Sequence, residues 1–286
     1  MVTFNQDQLI IQSVQGKVQH PKIVSPYRVS NSGLPLILPA TGGISYNLKI
    51  GNFAFGWAGD HLEPGVTIKN DNEQENAALN VLACIGNTAK VVSGDAKGAT
   101  GFVTGTHGGV EHVLLYFAPE DLERLAINDQ IMIKACGQGL TCTDYPQVKV
   151  MNIDPSLFAR LGIEERQGRL QIPVAGVVPA HLMGSGVGAA TATSGDYDIM
   201  TADWEEIVAA GLDQLRLGDL VFIQDYDHSF GRGYGKGAVS VGVVIHADSF
   251  KLGHGPGVTT IMTSPDGWLE PIHSKEANIA KYLGCF

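Results

Sequence analysis

The stretch VEHVLLYFAPEDLERLAINDQIMIKA, residues 110–135, contains the pattern that decides the fold. It begins with an apolar run at Val110–Phe117 and ends with a second short apolar run at Gln130–Ala135, and both have the length and composition of β-strands. Between them, Pro119–Ala126 carries a proline and two acidic residues in its first turn, which is typical of a short helix. Two strands joined by so short a helix predict a β-rich fold with small helical insertions.

Similar short strands, bounded by turn residues, recur along the chain. Clusters of Gly, Pro, Asn or Asp flank most of them, as expected for strands that are joined by tight turns. The further predicted strands are Gln8–Val14, Gln147–Met151, Leu170–Val178, Leu220–Gln224, Ala238–His246 and Val258–Thr263. The further predicted helices are 72–86, 154–162 and 201–210. Because strands and helices do not alternate regularly, we predict a mainly β fold, sandwich-like or barrel-like, with α+β as the alternative.

Length and charge limit the class of protein. The chain has 286 residues and a formal net charge of −10, which argues against a nucleic-acid partner because such a partner needs a basic surface. We treat residues 1–286 as one unit, with a possible subdivision somewhere in 136–170. Glycine is abundant at 36 residues, and this abundance indicates many tight turns and close backbone approaches.

The sequence carries no signal for export or for a membrane. The first residues, MVTFNQDQLII, lack the basic and apolar regions of a signal peptide, and the apolar stretch 174–192 is interrupted by Pro179, several glycines and His181. The chain has four cysteines, too few for a disulfide scaffold, and Cys136 and Cys142 do not have the spacing of a zinc knuckle. These features predict a cytoplasmic protein without a membrane partner.

Aspartate and histidine recur inside glycine-rich turns. The turns are 59–61 (GDH), 94–98 (GDAKG), 105–109 (GTHGG), 195–198 (GDYD), 225–228 (DYDH) and 253–257 (GHGPG). Glycine lets the backbone turn tightly and lets a ligand approach, while aspartate oxygens and histidine nitrogens suit a divalent ion or an acid–base pair. The alternative for each is an ordinary turn, because aspartate commonly caps turns.

Residues from these turns are assigned to three roles. The candidate metal ligands are Asp60, His61, Asp196 and Asp198, for a divalent ion such as Zn, Mg, Mn or Ca. The candidate catalytic residues are Asp95, His107 and His254. The candidate substrate-binding residues, from the glycine-rich stretches 184–188 and 231–237, are Ser185, Gly186 and Arg232. His112 and His246 lie inside predicted strands, where a hydrogen-bonded structural imidazole is the ordinary role.

One short pattern occurs twice. His61 and His254 each stand just before Pro-Gly-Val-Thr, at 64–67 and 256–259. Pro-Gly followed by β-branched residues is a good signal for a turn that leads into a strand. The alternative explanation is an internal duplication.

Several of these strings together resemble a bacterial family catalogued as domain of unknown function 4438. They are GDHLEPGV at 59–66, GDAKGATGFVTGTHGG at 94–109, GSG and GDYDI at 184–199, and GRGY and GHGPGV at 231–258. The resemblance covers most of the chain, and it implies no catalytic residue because the family's reaction is not established. A more distant similarity to acetamidase/formamidase proteins, at Asp60-His61 and at 195–198, implies a β-rich fold around a metal-assisted amide hydrolysis site.

The residues and the resemblance lead to one expected function and two alternatives. We expect a metal-assisted hydrolase of a small polar substrate, with an amide or related C–N bond as the first candidate. The alternatives are a non-catalytic protein that binds a small molecule or metal, and a protein whose glycine-rich turns are structural in an obligate assembly. We expect a homo-oligomer, a dimer or a trimer, because Val110–Phe117 and Ala238–Ile245 are apolar on both faces.

Overall fold

The computed structural model describes residues 2–23, 25, 27–39 and 41–285. The strands are β1 Gln12–Val18, β2 Arg28–Val29, β3 Pro35–Leu36, β4 Ile44–Ser45, β5 Gly65–Lys69, β6 Thr88–Val91, β7 Thr100–His107, β8 His112–Tyr116, β9 Gln130–Ala135, β10 Lys149–Val150, β11 Glu164–Arg166, β12 Arg169–Val174, β13 Gly176–Val178, β14 Tyr197–Asp198, β15 Leu220–Asp227, β16 Gly233–Val244, β17 Gly257–Ser264 and β18 Leu269–His273. The α-helices are α1 Glu73–Leu82, α2 Pro119–Leu122, α3 Pro155–Phe158, α4 Trp204–Ala209 and α5 Ile279–Leu283. The prediction of a mainly β fold with short helices is confirmed. None of the helices among the described residues is long and apolar enough to span a membrane.

Six strands of the N-terminal half close into an antiparallel barrel. Their order is β1, β9, β6, β7, β8 and β5, and β5 returns to β1 through the pairs Lys17–Lys69 and Val18–Ile68, while β4 pairs with the first two residues of β5. Closure leaves these strands without open edges. Apolar side chains from most of them, including Val103 and Ile133, fill the interior.

The C-terminal half contains a second sheet. Its order is β10, β17, β16, β15 and β13, with β14 also paired to β17; the β13–β15 pair is parallel and the others are antiparallel. A smaller sheet of β11, β12 and β18 lies in the same half, and β2 and β3 form a separate hairpin. One apolar core joins the halves, since it contains Ile85 and Leu114 together with Phe222 and Ile245.

The barrel and the second sheet meet along β7 and β17. The hydroxyl of Thr259 donates to the carbonyl oxygen of Thr106 at 3.0 Å. Gly105 makes this close approach possible, because a Cβ at that position would lie only 2.3 Å from Cγ2 of Ile245. The end of β7, which carries His107, is therefore held against the second sheet.

The structure also shows where the predicted elements were wrong. Strand β7 was not predicted, because the glycines of TGFVTGTH suggested turns, whereas Gly101 and Gly105 provide space for neighbouring chain segments. The predicted strand Leu170–Val178 is divided into β12 and β13, and the one predicted at Gln8–Val14 begins only at Gln12. Both Pro-Gly-Val-Thr segments do lead into strands, since β5 begins at Gly65 and β17 at Gly257.

Candidate active site

A cavity of about 550 Å³ lies where the end of β7, the turn before β5, strand β14 and the turn before β17 meet. Two groups of side chains, each with two histidines and one aspartate, lie at its inner end. The first group is His61, Asp198 and His254, and the second is His107, Asp196 and His246. Within each group, one nitrogen or oxygen of every residue lies within 4.8 Å of those of the other two. His246 is fully buried, and the other residues line the cavity.

The first group forms a tight triangle of three atoms. Nδ1 of His254 lies 2.9 Å from Nε2 of His61 and 2.9 Å from Oδ2 of Asp198. The third side, from Nε2 of His61 to Oδ2 of Asp198, measures 3.5 Å. Ligands of a tetrahedral Zn²⁺ ion, with bonds of about 2.0–2.1 Å, lie about 3.3 Å apart. The triangle therefore has the dimensions of a ligand set for one ion.

The second group contains two buried atoms without a hydrogen-bond partner. Nε2 of His246 and Oδ2 of Asp196 lie 2.9 Å apart, within ion-pair distance, but neither has a hydrogen bond of good geometry within the described part of the chain. Their opposite atoms are occupied, because Nδ1 of His246 bonds the carbonyl of Ala247 at 2.8 Å and Oδ1 of Asp196 accepts from the Gly108 amide at 2.7 Å. Buried polar atoms are almost always paired, so this arrangement fits ligands that point to a common third atom.

Electrostatics favour positive charge at the centre of both groups. Burial by itself lowers the pKa of His246, but the carboxylates of Asp196 and Asp198 raise it well above its ordinary value. Burial likewise raises the pKa of Asp198, but the nearby imidazoles of His246, His254 and His61 bring it well below its ordinary value. A proton or a metal ion can supply the charge that this arrangement stabilises.

Glu63 holds the imidazole of His107 in place. This fully buried carboxylate accepts from Nδ1 of His107 at 2.6 Å and from Nδ1 of His112 at 3.0 Å, and the Thr67 hydroxyl also donates to it. Burial would raise the pKa of Glu63, but the two imidazoles keep it below its ordinary value. A carboxylate behind a histidine, which leaves Nε2 free to bind, is the usual support of a metal ligand.

Asp60 supports His61 in the same way and belongs to neither ligand group. Its Oδ2 lies 3.2 Å from Nδ1 of His61 and 2.8 Å from Nη1 of Arg28, while Oδ1 accepts from the Ser249 hydroxyl at 2.7 Å. Asp60 is not part of either group in this arrangement, and its contacts with Arg28, Ser249 and His61 suit it to position the His61 imidazole. The backbone of His61 has φ 51°, a left-handed conformation that is held by its N–H bond to the carbonyl of Asp248.

The structure brings most of the predicted site residues together. The residues that line the cavity are His61, His107, Ser185, Gly186, Asp196, Asp198, Arg232 and His254. Asp95 is not among them, because it is exposed in the turn between β6 and β7, which is closed by bonds from Lys97 and Gly98. The 94–98 motif is thus an ordinary tight turn. His228, from another predicted turn, is buried with its Nδ1 on the Thr260 hydroxyl.

Two residues of the site were missed by the sequence interpretation. His246 was taken as structural because it ends a predicted apolar strand, but it lies two residues after β16 and its Nε2 faces Asp196. Glu63 received no role, although it lies in the same short turn as His61 and two residues before β5. A glutamate two residues from a candidate ligand was the only available signal.

Comparisons with known proteins agree with the resemblance seen in the motifs. The model of the N-terminal domain of unknown function DUF4438 matches residues 27–159, and the model of the C-terminal domain matches residues 160–283. The boundary between them falls inside the interval 136–170. The chain is similar to the crystal structure of TM1086, with 50% sequence identity and a TM-score of 0.95 over 98% of this chain and 99% of that chain. No match was found among curated proteins. Since the two models cover nearly the whole length, the chain belongs to the DUF4438 family.

Proposed function

We propose that the cavity is the active site of a metal-assisted hydrolase that acts on a small polar substrate. The observation that carries the proposal is the pair of His-Asp-His groups that share one cavity and include buried atoms with no hydrogen-bond partner among the described residues. The volume of about 550 Å³ suits a small molecule. An amide or related C–N bond is the first candidate for cleavage.

The donor atoms favour one type of ion. Each group offers two imidazole nitrogens and one carboxylate oxygen, a mixture that suits Zn²⁺ better than Mg²⁺ or Ca²⁺, which prefer oxygen ligands. Three protein ligands leave a coordination position open for water or substrate. A bound ion would polarise an oxygen of the substrate and lower the pKa of a bound water. The chain's own contribution is to fix the imidazoles, through Glu63 behind His107 and Asp60 behind His61.

The limited similarity to acetamidase/formamidase proteins points to the same chemistry. It lies at Asp60-His61 and at 195–198, and the structure has His61, Asp196 and Asp198 in the two groups and Asp60 directly behind them. The similarity concerns short turns, so the amide is the first substrate class to test rather than a fixed assignment.

Metal binding is the first step to test. The purified protein is expected to contain up to two Zn²⁺ per chain by elemental analysis, and His246→Ala is expected to lower that content. His181→Ala is the matched control, because His181 is exposed and absent from both groups. Chelator-sensitive turnover of small amides would support the hydrolase, and saturable binding without turnover would support a non-catalytic binding protein. Equal, negligible metal content in all three proteins would overturn the proposal.

We also propose that the protein acts as a homo-oligomer in the cytoplasm, on a small molecule and without a nucleic-acid partner. All four cysteines are free, and burial raises the pKa of Cys84 and Cys142 to about 12 and about 11, so neither is a reactive thiolate. Free thiols of this kind suit a reducing compartment.

A further inference from the structure

Arg232 is a buried basic residue that has no close ion pair among the described residues. Only 5% of the residue is exposed, and the carboxylates of Asp196, Glu111 and Asp198 act on its charge from beyond 4.0 Å. Nε has no hydrogen-bond partner in the described part of the chain, and Nη2 donates to the carbonyl of Ser194 at 2.7 Å. Burying a charge without a partner is costly, so this position requires an explanation beyond packing.

The backbone around Arg232 is fixed by the glycine-rich stretches on both sides. The Arg232 amide donates to the carbonyl of Ala189 at 2.9 Å, and its own carbonyl accepts from the Gly188 amide at 2.8 Å. Gly231 has φ 124°, and a Cβ there would lie 2.5 Å from the oxygen of Ala189. The guanidinium carbon lies 5.7 Å from the ring centre of Tyr197, which limits its movement. Arg232 is therefore held in one place before any ligand arrives.

Arg232 lines the same cavity as the two His-Asp-His groups. The other basic side chains of the cavity are Arg28, which is paired with Asp60, and Lys251, which forms no ion pair among the described residues. Glu111 also lines the cavity, and its Oε1 accepts from the Gly109 amide at 3.1 Å. Among the described residues, Arg232 and Lys251 thus form no ion pair within 4.0 Å, although the carboxylates of Asp196, Asp198 and Glu111 line the same cavity.

We propose that Arg232 binds an oxyanion on the substrate, a carboxylate or a phosphate, while the C–N bond to be cleaved lies at the His-Asp-His groups. A guanidinium presents parallel N–H donors that match two oxygens of either anion. This inference rests on the proposed function for the position of the reacting bond. It narrows the substrate class to small anionic amides or related compounds.

The test measures anion binding with the metal-loaded and the chelator-treated protein. Calorimetric titration with inorganic phosphate and with succinate separates the two oxyanions, and succinamide is the neutral control. We expect Arg232→Gln to weaken binding of the preferred anion at least tenfold. We expect Arg232→Lys to weaken it less, because lysine keeps the positive charge but lacks the parallel N–H donors of the guanidinium. Arg160→Gln, which removes a charge from the exposed residue Arg160, is expected to have no effect.

The outcomes separate this inference from the proposed function. The inference is supported if Arg232→Gln binds the anion more weakly while its metal content is unchanged. It is also supported if the ligand-free variant unfolds at the same or a higher temperature than the wild-type protein. Equal anion affinity in the wild-type protein and Arg232→Gln overturns it, whatever the metal content. Absence of metal with anion binding that depends on Arg232 overturns only the proposed function. If Arg232→Gln does not fold, the affinity of Arg232→Lys decides, and wild-type affinity there overturns the inference.

Discussion

Asp198 and His246 connect the two candidate metal groups. Oδ1 of Asp198 lies 3.6 Å from Nε2 of His246 in the second group, while Oδ2 of the same carboxylate lies 2.9 Å from Nδ1 of His254 in the first. The rings of His107 and His246 are 4.3 Å apart, and those of His61 and His246 are 5.2 Å apart. A shared carboxylate and such close rings are typical of centres in which two ions lie about 3.5–4 Å apart.

The first prediction is that Asp198→Asn lowers metal binding in both groups. The amide keeps the size of the side chain but removes the negative charge and one acceptor, so we expect the Zn²⁺ content to fall to one ion per chain or fewer. Elemental analysis after dialysis against dilute Zn²⁺ measures this, with Asp95→Asn as the control because Asp95 is exposed in a turn. Wild-type metal content in Asp198→Asn would contradict a shared centre.

The second prediction concerns Glu63 behind His107. Glu63→Gln places an amide N–H near imidazole nitrogens that now donate to the carboxylate, so one buried contact is lost. We expect metal affinity to fall about 10- to 100-fold, as for other supporting residues of metal ligands. The free energy of unfolding should fall by about 1–3 kcal/mol. Competition with a coloured chelator and denaturant unfolding measure the two effects, and an unchanged metal affinity would remove Glu63 from the site.

The third prediction is a pH dependence of stability that comes from His228. Burial and nearby Arg232 lower the pKa of His228 to about 3, against an ordinary value of 6.5. The unfolded chain therefore binds a proton that the folded chain does not, and stability is lost as the pH falls below 6.5. Between pH 7.5 and pH 5 this loss is about 2 kcal/mol.

The measurement is the difference in unfolding free energy between the wild-type protein and His228→Asn, determined by urea titration at several pH values. Asparagine places a polar atom near the position of Nδ1, which bonds the Thr260 hydroxyl at 2.8 Å, but it does not titrate. The difference is expected to shift in favour of His228→Asn by about 2 kcal/mol at pH 5. His181→Asn, at an exposed histidine, should show no such shift.

The local sequence predicted much of this fold because turns and strands have strong short-range signals. Pro-Gly at 64–65 and at 256–257 leads into β5 and β17, and Asp154-Pro155 begins α3, as expected. Strand β7 was not predicted, because its glycines make room for contacts with distant parts of the chain, such as Gly105 against Ile245. A glycine required by a long-range contact cannot be distinguished from a turn glycine by local pattern.

The site shows the same limit in its chemistry. The 94–98 and 105–109 motifs look alike, but Asp95 precedes β7 and His107 ends it, and an eight-residue strand separates its ends by roughly 23 Å. Topology, which the motifs do not encode, decides that only His107 reaches the cavity. His246 was missed for the converse reason. It follows an apolar strand, and the polar site that it faces is formed by residues from other segments of the chain.

The fourth prediction tests whether the packing of β7 positions the site. Gly105→Ala places a Cβ 2.3 Å from Cγ2 of Ile245, next to His246, so the two halves must separate slightly. We expect a loss of about 1–3 kcal/mol of stability and weaker metal binding. Ile245→Ala removes the nearest atom, Cγ2, and keeps the Cβ that would lie 2.7 Å away, so the double variant should be somewhat more stable than the sum of the single effects predicts. Strict additivity in urea unfolding would show that the two residues do not contact.

A homo-oligomer is predicted from the apolar strands Val110–Phe117 and Ala238–Ile245. These correspond to β8 and β16, which lie in the interior of their sheets, where the chain itself covers them. A different feature now supports it. Large apolar side chains of the N-terminal segment are exposed around the β2–β3 hairpin, namely Ile23, Tyr27, Val29, Leu34 and Ile37. Exposed apolar clusters of this kind commonly mark contact surfaces.

The last prediction is that this hairpin lies in a contact between copies of the chain. Leu34 and Ile37 are 60% and 71% exposed, so replacing both with glutamate should cost the single chain little stability while it disrupts an apolar contact. Light scattering should give the wild-type protein a mass of two or three times 30.4 kDa and the double variant a lower mass. Val208→Glu is the control, because Val208 is 49% exposed on α4, away from the hairpin in sequence. A wild-type mass of one chain at every concentration would reject the oligomer. A multimer that survives the double substitution would place the contact on another surface.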